Sequence, residues 1–171
     1  MTTSLELLQT LSECFGPPGG EAPVARLVED HLRPFCQLRR DGLGSVLAEK
    51  TGQHARPRLM LAAHLDEIGF MVQNVTSQGY LRLQALGGWE PGLLPGQRLL
   101  IQTARGRVEG VVAALPVHFQ KEKSKETKME DLLVDIGAAS ADEARNLGVS
   151  LGDLAVPRGG FAVFNDNYLV N

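Results

Sequence analysis

The chain has 171 residues, of which 43% are hydrophobic, enough for one well-packed domain or two small ones. A net charge of −3 gives no electrostatic reason to expect nucleic acid as a partner, and the absence of a run of about 18 apolar residues argues against a membrane partner. Cys14 and Cys36 match no metal or redox pattern, and the N-terminus has no signal-peptide pattern, so we expect a cytoplasmic protein.

The first third of the chain has the pattern of an α/β unit. Thr3 and Glu6 predict a capping box at the start of a helix, which the Gly- and Pro-rich segment 15–20 ends. Segments 37–40 and 45–49 are predicted strands joined by a tight turn. A second helix is predicted before these strands, after segment 15–20, and its inward face is predicted to consist of Val24, Leu27, Val28, Leu32 and Phe35.

The stretch 58–70 begins with a run of small and aliphatic residues, which predicts a strand buried on both faces. The run leads into His64, Asp66 and Glu67, three side chains able to bind metal or exchange protons. His64 and Asp66 are two residues apart, which on a strand places both on one face. A His-x-Asp pair is weak evidence alone, and the spacing by itself favours a structural role.

The character of the sequence changes after Phe70. Short strands separated by Gly-containing turns predict a small barrel or sandwich. Trp89, in a Gly/Pro loop, is either a ligand or interface anchor or part of a loop packed on the core. Ser140 and Glu143 predict a second capping box, before a short helix. The predicted strands are 70–75, 80–86, 99–103, 107–113, 132–136, 154–156 and 161–164.

An ordered series of motifs resembles the dinuclear metallo-aminopeptidases, which include glutamyl and deblocking aminopeptidases and the tetrahedral aminopeptidase particles. Members of that family are often labelled cellulase or endoglucanase. The resemblance covers nearly the whole chain, and the series is more specific than any one motif. It rests on segments 15–21, 41–45, 63–70, 108–111, 116–119, 131–138 and 143–149.

The resemblance implies an α/β catalytic domain, incomplete in this chain, interrupted by a small all-β barrel for dimerisation and lid formation. The catalytic domain would comprise 1–67 plus 159–171, and the barrel 68–158. His64 would bind one of two divalent metal ions, zinc or cobalt. Asp66 would have a catalytic role, orienting His64 and tuning the bound water, without being a metal ligand itself. The implied activity is hydrolysis of N-terminal residues from short peptides by a homo-oligomer associated through the barrel.

The chain departs from the family pattern in what it lacks. The resemblance places the bridging aspartate, the general-base glutamate and the second histidine later in the catalytic domain. One His and one Asp cannot fill a tetrahedral site. We therefore expect an N-terminal portion of such an enzyme that is inactive alone. The alternatives are a self-associating, non-catalytic barrel module and a degenerate relative. His118 is interpreted as a loop histidine outside the site.

Overall fold

The computed structural model describes residues 3–113, 127–165 and 168–170, with the backbone alone at 168 and 170. The chain divides into two compact units after Glu67. Segments 159–165 and 168–170 cluster with the second unit. The assignment of 159–171 to the catalytic domain stays a prediction. The motif at 116–119 and His118 lie outside the described residues.

The first unit begins with two helices, α1 (Ser4–Ser12) and α2 (Ala22–Leu32). The predicted capping box of α1 is confirmed, because the Glu6 amide donates to the Thr3 hydroxyl and the Thr3 amide donates to the Glu6 carboxylate. On α2, Val24 and Ala25 are buried. Phe35, beyond the helix, is 58% exposed, so the prediction that it faces inward is wrong.

The hairpin of the first unit pairs β1 (Gln37–Arg40) with β2 (Val46–Glu49) in antiparallel register, as predicted. The Asp41 carboxylate organises the turn by accepting hydrogen bonds from the Leu43 and Ser45 amides. Arg40 forms a two-point ion pair with Glu29 of α2, at 2.5 and 2.9 Å. This pair ties the hairpin to the helix.

The prediction of a buried strand in the stretch 58–70 is wrong for residues 58–68. The segment has no regular secondary structure, and Leu59 and Leu61 are 85% and 88% exposed. An apolar strand buried on both faces requires neighbouring strands and a layer on each face. Within the described residues, β1 and β2 pair only with each other, so no strand of the first unit supplies that partner.

The second unit contains a closed six-stranded barrel in the order β3–β4–β7–β6–β5–β8, where β8 returns to pair with β3. The predicted hairpins are confirmed with limits shifted by a residue or two. The barrel strands are β3 (Gly69–Val75), β4 (Leu81–Leu86), β5 (Arg98–Thr103), β6 (Gly106–Ala113), β7 (Leu133–Asp135) and β8 (Leu154–Pro157). A separate hairpin pairs β9 (Ala162–Phe164) with β10 (Tyr168–Val170).

Alternating side chains fill the barrel. Leu99, Ile101 and Thr103 of β5 are buried, while the residues between them are more exposed. A glycine lets β6 approach β7, because a Cβ at Gly110 would lie 2.7 Å from the Val134 Cγ1 atom. The other buried hydrophobic residues of this core include Phe70, Val72, Leu81, Leu94, Val112, Val134, Val149 and Ala155.

Two features outside the strands complete the second unit. Helix α3 (Ala141–Asn146) begins with the Ser140 hydroxyl accepting from the Glu143 amide. In the predicted capping box, the Glu143 carboxylate would accept from the Ser140 amide. It accepts instead from the amide of the preceding residue, Ala139. Trp89 stacks on Phe70 with ring centroids 4.5 Å apart, which places its loop against the core. None of the helices in the described ranges has the length and apolar character needed to cross a membrane.

Candidate metal-binding site

The His64 ring and Asp66 meet in the first unit even though they do not lie on a strand. The His64 Nδ1 atom is 2.9 Å from the Asp66 backbone oxygen and 3.1 Å from its Oδ1 atom. The side chains are 84% and 42% exposed respectively. The chain bends locally so that the imidazole faces the backbone oxygen and the Oδ1 atom of the same residue. The predicted pairing of these two residues is therefore present, with a geometry that strand spacing did not predict.

This contact assigns the proton on the His64 ring. A backbone carbonyl can only accept a hydrogen bond, so Nδ1 carries the proton and donates it towards Asp66. In a neutral imidazole the other nitrogen, Nε2, then has an available lone pair. The Asp66 Oδ1 atom lies 3.1 Å from the same nitrogen and helps to hold the ring in this orientation. Nε2 is therefore prepared to bind a metal ion or accept a proton.

Glu67 is the third polar residue of the predicted cluster, and its side chain points to a different partner. Its Oε1 atom accepts a hydrogen bond from the Gly16 amide at 3.0 Å. Burial raises the pKa of the Glu67 carboxyl above its ordinary value, and the Gly16 hydrogen bond acts in the opposite direction. Glu67 belongs to the predicted polar cluster, but a contact with a residue 51 positions away leaves no signal in the local sequence.

The donor atoms of this cluster are too few for a complete metal site. Zinc sites in proteins normally use three or four protein ligands. His64 Nε2 could serve as one of them, whereas Asp66 contacts the Nδ1 atom of the same ring. Across residues 3–113, 127–165 and 168–170, no group of three or more His, Cys, Asp or Glu side chains could hold a metal ion. The described residues therefore fit one corner of a metal site.

The other candidate acidic side chains have local structural partners. The Asp135 carboxylate accepts from the Gly137 amide at 2.8 Å, and the Asp153 carboxylate accepts from the Ser150 amide at 2.8 Å. Both contacts stabilise turns of the second unit. His54 and His31 are exposed in the first unit. Among the histidines that the structure describes, His64 is the one that lies against a carboxylate.

The chain is similar in sequence and in structure to known aminopeptidases. The sequence profile described as M42 glutamyl aminopeptidase matches residues 44–171. A lysyl aminopeptidase from Pyrococcus furiosus is 36% identical over 154 residues, which cover 87% of this chain and 44% of that protein. The crystal structure of a TET aminopeptidase from the marine sediment archaeon Thaumarchaeota archaeon SCGC AB-539-E09 has a TM-score of 0.89 at 39% identity, over 95% of this chain and 47% of that one.

A third similar protein is the TET1 peptidase of Pyrococcus horikoshii, which can assemble into a tetrahedron or a large octahedral shell. Its structure gives a TM-score of 0.86 at 30% identity, over 98% of this chain and 50% of that one. The chain thus spans about half the length of the relatives that it matches. The predicted fold class, an incomplete α/β catalytic domain interrupted by a small barrel, is confirmed by these neighbours and by the closed barrel.

Proposed function

The chain belongs to the M42 glutamyl aminopeptidase family, and from that premise we propose that it is the part of a metal-dependent aminopeptidase that carries the first metal-binding histidine. The substrates are short peptides, from which the complete enzyme hydrolyses the N-terminal residue. The observation that carries this proposal is the orientation of His64, whose Nδ1 atom faces Asp66 while Nε2 is left available.

Each of the two residues has a distinct role in the proposed mechanism. His64 Nε2 binds one of two divalent ions, zinc or cobalt. Asp66 accepts a hydrogen bond from Nδ1 and so fixes the tautomer and the orientation of the ring. When bound, such ions supply an activated water and polarise the peptide carbonyl. The role of Asp66 is thus to orient the ligand and tune the site, and the general base comes from residues beyond the described cluster.

We further propose that the 171-residue chain alone does not hydrolyse peptides. Support comes from the donor set, because the candidate site in the described residues provides one histidine ligand where a two-metal centre needs several more. The test is an assay of the purified chain with short peptides and added zinc or cobalt. No release of N-terminal residues is expected. Metal-dependent release by this chain would contradict the proposal.

The proposed enzyme is a cytoplasmic homo-oligomer that associates through the barrel unit. Support comes from the assembly of the Pyrococcus horikoshii relative into closed shells. Association could also be the whole function, in a non-catalytic barrel module, and the self-contained barrel core favours this second candidate. A reading frame that continues past codon 171 into further acidic and histidine motifs would favour the enzyme. A stop codon there would favour the module.

A further inference from the structure

Two segments of the first unit that are far apart in sequence are joined by a pair of hydrogen bonds. The Gly16 amide donates to the Glu67 Oε1 atom at 3.0 Å, and the Glu67 amide donates to the Gly16 oxygen at 3.0 Å. These residues are 51 positions apart. We call this pair of contacts the Gly16–Glu67 clamp. It uses both the main chain and the side chain of Glu67.

The Gly16 side of the clamp lies in the best-packed part of the first unit. Phe15 and Pro17, on either side of Gly16, are buried, and Val24 packs against Gly16 from helix α2. A Cβ at Gly16 would lie 2.4 Å from the Val24 Cγ2 atom, so no larger residue fits there. Gly16 is therefore held in place by the side chains packed around it.

The Glu67 side of the clamp, by contrast, follows an exposed segment. Residues 58–66 have no regular secondary structure. Across that segment, the described structure contains no backbone–backbone hydrogen bond before the Glu67 amide donates to Gly16. The clamp is thus the first main-chain attachment after Arg58. It holds the segment directly beside His64 and Asp66.

The clamp and the His64 contact share one peptide group. The Asp66 carbonyl and the Glu67 amide belong to the same planar unit and point in opposite directions. The Glu67 amide donates to Gly16, while the Asp66 carbonyl accepts from His64 Nδ1. When the clamp fixes one end of this peptide, it fixes the direction of the other. The Glu67 side chain, which accepts from the Gly16 amide, holds the same two residues together and so supports the orientation of the acceptor that places the proton on Nδ1.

We propose that Glu67 is a positioning residue, which sets the tautomer of His64 through the shared Asp66–Glu67 peptide and so keeps Nε2 available. This role rests on the proposed function, in which Nε2 binds the metal ion. A direct part in proton transfer is a different role and depends on a titrating carboxyl. The positioning role requires only an oxygen that accepts from the Gly16 amide, and a glutamine side chain supplies one.

Three substitutions separate these roles. Glu67→Ala removes the acceptor for the Gly16 amide, whereas Glu67→Gln keeps an acceptor oxygen and removes the charge. Glu29→Ala is the matched control, because it removes a glutamate that makes a tertiary contact in the same unit, with Arg40, without touching residues 64–67. The readout is the nitrogen-15 spectrum of the histidine rings at about pH 8, where a histidine of ordinary pKa is neutral.

The expected result is an Nδ1–H pattern for His64 in the wild type, in Glu67→Gln and in Glu29→Ala. In Glu67→Ala the signals should shift towards the Nε2–H form, with His31 and His54 unchanged as internal references. An unchanged His64 pattern in Glu67→Ala would overturn the proposal. If Glu67→Ala does not fold, the wild-type and Glu67→Gln spectra decide, because an Nε2–H pattern in either contradicts it and Nδ1–H in both supports it.

The spectrum involves neither metal nor substrate, so its outcome is independent of peptide hydrolysis. If the complete protein lacked aminopeptidase activity while the tautomer responded as expected, the proposed function would fail and the positioning role of Glu67 would stand. If the tautomer did not respond while activity required His64, the positioning role alone would fail. The two proposals are therefore separately testable.

Discussion

At the scale of single residues, the candidate site depends on which atom of each polar side chain is already engaged. His64 Nδ1 faces Asp66, and Glu67 Oε1 faces Gly16. What remains available is His64 Nε2, the atom to which the proposed function assigns the metal ion. The types of residue needed for this site could be predicted from sequence. The engaged atoms could not, because they depend on a local bend and on a contact 51 positions away.

The free energy of unfolding should depend on pH through the carboxyl group of Glu67. Burial raises the pKa of its carboxyl in the folded state, so the folded chain binds this proton more tightly than the unfolded chain. The free energy of unfolding should therefore fall as pH rises from the ordinary pKa of a glutamate through the raised value. Glu67→Gln cannot titrate and should lack this fall, so its stability relative to the wild type should increase with pH.

Urea unfolding of both proteins between about pH 4 and pH 7 measures this difference. Arg40 lowers the pKa of Glu29, and hydrogen bonds from Ser45 lower that of Asp41. These two groups contribute stability that is lost at low pH, through the folded-state pKa of each. They are present in both proteins and cancel in the difference. If the stability of Glu67→Gln relative to the wild type stays constant or falls as pH rises, the prediction is wrong.

At the scale of elements, the turn between β3 and β4 requires a glycine for two reasons. Gly79 has a φ of +89°, and a Cβ there would lie 2.3 Å from the Ala138 oxygen. Gly79→Ala should destabilise the barrel by about 2–4 kcal/mol, from the left-handed backbone conformation together with the steric clash. Unfolding can be followed by fluorescence of Trp89, the single tryptophan, which stacks on Phe70 in the barrel core.

Gly96 provides the matched control for this substitution. Its φ is +84°, and a Cβ there would meet nothing within 4 Å. Gly96→Ala should therefore cost only about 1–2 kcal/mol, the contribution of the backbone conformation alone. Equal losses of stability in the two variants would show that the Ala138 contact does not matter.

The elements also explain why sequence predicted one half of the chain better than the other. Two strand pairs of the barrel, β3 with β4 and β5 with β6, are hairpins of consecutive strands, so alternation of side chains and turn residues is sufficient to predict them. β5 and β6, for example, are separated only by residues 104–105. The segment 59–66 has the composition of a buried strand, but composition does not supply a partner. No strand of the first unit pairs with it in the described structure. The segment therefore forms no strand, although its composition favours one.

At the scale of the whole molecule, the two units differ in how much of their chemistry is self-contained. The barrel closes on itself and has its own core. The first unit presents His64 with one available nitrogen and without enough neighbouring ligands for a metal ion in the described residues. The chain spans about half of each relative, which agrees with a site that this chain completes only in part.

The central claim is that His64 binds a catalytic metal ion. It is tested most directly in the protein expressed from its complete coding sequence, by measuring metal content together with the release of N-terminal residues from short peptides. His64→Ala should lower the metal content and reduce the rate at least about a hundredfold, as expected when a metal-site residue is removed. His54→Ala, an exposed loop histidine, should change neither quantity. Full metal content and activity in His64→Ala would contradict the claim.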